Sequence, residues 1–274
     1  MEFALSTYLF VNERLSGHIL DKILAAGISQ IEIFAARQHF DYHDTNHVRD
    51  VAQWFRDQDL KLHSLHAPLY ADHDWGRSGS VPISVTYLQR RLRIDSMEEI
   101  KRSIEVAEIL PFKYLILHMG LPEEQYEIER YDAAMTSLEH LRIYAKERGA
   151  QILIENVPNE LTTPERILQF IQYTRMDDLK ICFDTGHAHM GSGVESSFQT
   201  LKDRIVSTHV NDNHGDKDDH LLPFEGDINW VKTVRDFRAL DGQFPILFEV
   251  RNYGPALVKL GQLCEVIEKM KAIC

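Results

Sequence analysis

The stretch THVNDNHGDKDDH, residues 208–220, places His209, His214 and His220 among Asp212, Asp216, Asp218 and Asp219 directly behind an apolar run. A solvated acidic loop accounts for the aspartates but gives no reason for imidazoles to recur beside them. The same residue types close other apolar runs: His66, His118, Glu155, Asp184 with His187 one tight turn on, and Glu249. Each alone reads as a hydrogen-bonded structural group. If they converge, the carboxylates would repel one another and take up protons unless a cation lies among them. Neutral imidazole and carboxylate are the protein ligands of zinc, manganese and similar ions, so the set predicts a divalent-metal site. Asp218 and His220 would fold back over the same cleft to serve a second or third ion.

The elements that must position these groups alternate along the whole chain. EFALST, QIEIFA, KLHSLHA, YLILHM, QILIENV, LKICFD, IVSTHV and PILFEV read as eight strands. Between them, segments such as HVRDVAQWFRDQ and TPERILQFIQY repeat apolar residues at helical spacing. Asp95 or Ser96 is suited to cap the helix MEEIKRSIEVAEIL, Thr163 precedes Pro164 at a helix start, and Gly149 follows a helix end. Strands apolar nearly throughout demand burial on both faces, which points to a parallel (β/α)8 TIM barrel, an α/β fold. A doubly wound open sheet is the alternative, but no Gly-rich dinucleotide fingerprint follows the first strand. With no Pro-, Gly- or Ser-rich linker, residues 1–274 read as a single domain, a size such barrels commonly reach. In that fold the residues closing the strands share one cleft.

Several groups are expected to lie outside the site. Asp212, Asp216, Asp219 and His214 read as solvated loop positions. His43, His47 and His189 read as structural or exposed, and His63, offset by three from His66, should face away from it. The long connection 68–94 carries Trp75, Arg77, Arg90, Arg91 and Arg93, and reads equally as a lid or as a packed Trp beside a solvated helix start.

A net charge of −12 disfavours a phosphate backbone as partner. Cys182, Cys264 and Cys274 have no paired spacing, and the N-terminal apolar stretch is too short for secretion or spanning, so a cytoplasmic protein without membrane attachment is expected. Nothing in the sequence sets an oligomeric state.

Across nearly its whole length the chain resembles the xylose-isomerase-like TIM barrels, which include sugar phosphate isomerases and epimerases and the type IV apurinic endonucleases. LHAP (65–68), LILHMG (115–120), LIENVP (153–158), CFDTGHA (182–188), THVND (208–212), DDHLLPFEGDINW (218–230) and FEV (248–250) carry the resemblance. For the epimerase branch it implies one ion, commonly manganese, on Glu155, Asp184, His209 and Glu249. The two glutamates then exchange protons with a sugar or polyol through metal-stabilised enediolate chemistry, and His187 holds a substrate oxygen. For the endonuclease branch it implies three zinc ions, with His66, His118, His187, Asp218 and His220 added. All these residues are present, so the ligands, one to three ions per chain, leave both branches open. The acidic composition favours the small-molecule substrate; a metal-dependent phosphodiesterase is the alternative, and a catalytically inert binding protein a third reading. Phe224 stands where relatives often carry glycine.

Overall fold

In the computed structural model, which describes residues 1–240 and 242–273, the eight strands form one parallel sheet wrapped by helices. In chain order these are β1 (Phe3–Ser6), α1 (Gly17–Ala25), β2 (Gln30–Phe34), α2 (Thr45–Asp57), β3 (Lys61–His66), α3 (Arg90–Glu105), β4 (Tyr114–His118), α4 (Ile128–Lys146), β5 (Gln151–Glu155), α5 (Pro164–Thr174), β6 (Lys180–Asp184), α6 (Thr185–Met190), α7 (Val194–Leu201), β7 (Ile205–His209), α8 (Trp230–Arg238), β8 (Ile246–Phe248) and α9 (Ala256–Ala272). Neighbouring strands pair in sequence order, and β1 also pairs with β8. The Val210 amide donates to Leu247 O at 2.8 Å and the Glu249 amide to Val210 O at 3.2 Å, which closes the (β/α)8 barrel. Cys274 lies outside the described residues, and Cys182 and Cys264 are free thiols. Among the described residues no helix is long and apolar enough to cross a membrane.

Each strand buries both faces. Outward residues such as Ile31, Leu65, Leu115 and Ile181 join the layer under the helices, while Tyr114, Ile116, Leu153 and Cys182 pack inside the barrel. Punctuation at α5 is as expected, with Thr163 accepting from the Arg166 amide and Pro164 in the first turn. The expected start of α3 is not: the helix begins at Arg90, and Ser96 is buried inside it, its hydroxyl accepting the Ser84 amide at 3.1 Å. Ser96 therefore anchors the preceding loop instead of capping.

His63 also departs from expectation. The β2–β3 register shifts between Ile31 and Glu32, which pair with Leu62 and Ser64. His63 is the extra residue of this bulge, so it turns inward and meets Ser207 Oγ across the barrel at 3.1 Å.

Candidate metal centre

The strand-end residues converge at the carboxyl end of the barrel. Glu155, fully buried at the end of β5, is the hub: Nε2 of His66 lies 3.5 Å from its carboxylate, Nε2 of His118 3.3 Å, Nδ1 of His187 3.1 Å and Nδ1 of His209 3.2 Å. Glu249, just past β8, reaches the same His209 Nδ1 at 3.3 Å. Asp184 ends β6 and accepts the His187 amide at 2.7 Å, so one residue both caps α6 and faces the centre. Asp218 lies between two rings, 3.4 Å from His187 Nε2 and 3.1 Å from His220 Nε2.

Donor atoms fall into compact groups. Glu155, Asp184, His209 and Glu249 each bring one ligand atom within 4.8 Å of the others, as do His187, Asp218 and His220, and His66, Glu155 and His209. His118 contacts Glu155 but joins none of these groups. Both Glu155 oxygens, Glu249 Oε1, Asp218 Oδ1, His209 Nδ1 and His187 Nδ1 are buried without a hydrogen-bond partner. Unpaired buried polar atoms are costly, and carboxylate oxygens and imidazole nitrogens grouped in this way fit a divalent cation.

Electrostatics agree with that fit. Burial alone would raise the Glu155 carboxyl, but His209 and His118 overcome it and hold it well below the ordinary range. Burial raises Glu249 and Asp184. Against a burial penalty, nearby carboxylates raise His187 well above an ordinary imidazole and push His220 up to about 9.

Above this floor lies a cavity of about 460 Å³, walled by Tyr8, Phe34, Leu69, Tyr70 and Trp75 and reaching His66, His118, His187 and Glu249. Trp75 packs edge-on to Tyr8 and Phe34 with centroids at 6.0 and 5.7 Å, so the 68–94 connection does wall the site. Its arginines do not line the cavity. Arg90 and Arg91 are exposed on the first turn of α3, and Arg93 donates to Tyr87 O.

Asp212 corrects the expectation of a solvated position. It is fully buried and accepts the amides of Phe224 and Gly226 at 3.0 Å, the Ile228 amide at 3.2 Å and Trp230 Nε1 at 2.6 Å. Converging N–H donors satisfy this side chain without a cation and fold the 212–230 loop back over the barrel. Phe224 takes φ +75°, a backbone region that favours glycine, yet its amide still reaches Asp212. His214 and Asp216 are exposed as expected, and Asp219 is half-buried beside Lys217. His43, His47 and His189 are structural, bonded to Glu99, Leu15 O and Asn213.

Sequence reasoning missed Glu32. It sits in mid-strand on β2, fully buried, with both oxygens on His209 Nε2 at 3.1 and 3.2 Å. The available signal was a charge within QIEIFA, where an apolar strand tolerates one only with partners.

The chain belongs to the xylose isomerase-like TIM barrel family, whose pattern matches residues 20–270. An uncharacterized protein of Methanocaldococcus jannaschii is 26% identical over 278 residues, 98% of this chain and 90% of that protein. Another of Sinorhizobium fredii is 28% identical over 209 residues, 69% of this chain and 66% of that one. Among solved structures, a D-tagatose 3-epimerase-like protein superposes with TM-score 0.77 at 23% identity, covering 99% of this chain and 98% of that one. The zinc-bound IOLI protein superposes with TM-score 0.75 at 16% identity, covering 99% and 96%. At these identities the superpositions speak to the shared fold.

Proposed function

We propose that this protein is a divalent-metal-dependent isomerase or epimerase of a small sugar or polyol. The observation that carries the reading is a pair of buried glutamates, Glu155 and Glu249, meeting at one histidine nitrogen beneath the cavity, both with unpartnered oxygens. Glu155, Asp184, His209 and Glu249 would hold the ion. When bound, that ion supplies Lewis-acid charge to adjacent oxygens of a sugar. The two carboxyl groups then do the proton work, one taking the proton from the substrate carbon and the other returning one from its opposite side. His187 lines the cavity and orients a substrate oxygen. The names of solved relatives, a D-tagatose 3-epimerase-like protein and an L-ribulose 3-epimerase, support the substrate class.

The test is incorporation of solvent deuterium across a panel of ketoses and inososes with manganese or zinc present. Wild type should exchange one carbon-bound hydrogen of a substrate, and Glu155→Gln and Glu249→Gln should each abolish it. Exchange at the wild-type rate in both variants discards the glutamate roles.

A second reading, a multinuclear zinc phosphodiesterase, draws on the separate group of His187, Asp218 and His220. Against it, Lys217 is the one lysine or arginine lining the cavity among the described residues. Cleavage of an abasic-site duplex, with element analysis returning two or three zinc ions per chain, would favour this reading over isomerisation.

A further inference from the structure

His209 has two ring nitrogens, and both face carboxylates. Nδ1 faces Glu155 and Glu249 and lacks a hydrogen-bond partner, while Nε2 faces both oxygens of Glu32. Glu32 is fully buried in mid-strand, and Ser64 Oγ donates to its Oε2 at 2.8 Å, so its orientation is fixed from two sides. A neutral imidazole carries one proton. If it sits on Nδ1, the lone pair that faces Glu155 and Glu249 is lost to a ligand; if it sits on Nε2, that lone pair is free. With a cation held by Glu155 and Glu249 on the Nδ1 side, the two Glu32 oxygens at Nε2 select the second arrangement.

We infer that Glu32 is a positioning residue that fixes His209 as the Nε2–H tautomer, turns its Nδ1 lone pair on the metal ion and adds negative charge behind the ligand shell. It belongs to none of the candidate ligand groups and does not line the cavity. The structural cost is a carboxylate in the middle of a barrel strand, where Leu or Val would otherwise pack. The bulge at Ile31/Glu32 opposite Leu62/Ser64 places the Ser64 hydroxyl against it. Residues behind a ligand histidine typically change metal affinity 10- to 100-fold when removed. The inference rests on the proposed ion at Glu155, Asp184, His209 and Glu249.

The test measures zinc affinity by chelator competition in wild type, Glu32→Gln and Ser64→Ala, with metal-free thermal unfolding as the control for folding. Glu32→Gln should weaken zinc by about 10-fold or more, and Ser64→Ala by less. A folded Glu32→Gln with affinity within twofold of wild type overturns the inference while leaving the metal site standing. A wild type that binds no zinc overturns the metal reading and this inference with it. Should Glu32→Gln fail to fold, 15N shifts of His209 in zinc-loaded wild type decide. A proton on Nε2 supports the inference, and a proton on Nδ1 overturns it.

Discussion

Glu155 and Glu249, from strands on different sides of the barrel mouth, reach the same His209 nitrogen at 3.2 and 3.3 Å. Two carboxylates so placed favour positive charge between them, and against the penalty of burial the surrounding acidic groups raise His209 and His187 well above an ordinary imidazole. Removing the hub charge should therefore weaken the metal-free fold. Glu155→Gln should cost about 3 kcal/mol, as for a buried ion pair broken on one side. Urea unfolding with chelator present checks this, and an unchanged midpoint would mean the imidazoles are neutral there.

The Asp212 clamp gives a second expectation. Asp212→Ala would strand the amides of Phe224, Gly226 and Ile228 and the Trp230 indole, at about 1–3 kcal/mol for each buried donor left unpaired. Water reaching the opened loop should offset part of this, leaving a loss of about 3 kcal/mol. Because Asp218 and His220 ride on that loop, any second ion should be lost before the first. Limited proteolysis should cut within 213–229 in the variant and spare wild type.

Gly186 explains the spacing in DTGH. A Cβ there would lie 1.9 Å from Asn211 Oδ1, while Asn211 Nδ2 donates to Asp184 Oδ2 at 2.8 Å. Gly186→Ala should push Asn211 off Asp184, destabilising the fold by about 1–3 kcal/mol as overpacking does. It should also weaken zinc binding about tenfold. Thermal unfolding and chelator competition read the two effects separately; loss of stability with zinc affinity intact would show that Asn211 does not position Asp184.

Much of this architecture was legible because barrel strands buried on both faces read as short apolar runs, and the residues closing them mark the cluster at the barrel mouth. His66, Glu155, Asp184, His209 and Glu249 could be collected that way. What escaped depends on register and on partners distant in sequence. His63 points inward because of a bulge that no local pattern encodes. Asp212 resembles its solvated neighbours in type, and only the return of residues 224–230 makes it a buried acceptor. Glu32 pairs with a residue 177 positions away, a separation at which periodicity carries no information.

His39 supplies a pH dependence independent of the metal centre. It is fully buried, bonded to Thr7 Oγ1 at 2.9 Å and to Glu13 O, and burial lowers it to about 4. An unfolded histidine titrates near ~6.5. Between these values the unfolded chain binds a proton that the native state refuses, so acidification favours unfolding. The contribution of neutral His39 is fully present above about pH 6.5 and is lost as pH falls toward about 4, at most about 3 kcal/mol. His63, also lowered to about 4 chiefly by burial, adds to the same slope. His39→Gln should be less stable than wild type at pH 7 by about 1–2 kcal/mol through its lost hydrogen bonds. The two stability curves should then converge as pH drops from 6.5 to 4.5, because only wild type carries this titration. Urea midpoints for both proteins across that range, with chelator throughout, measure the gap, and parallel curves would mean that His39 takes up its proton inside the native fold.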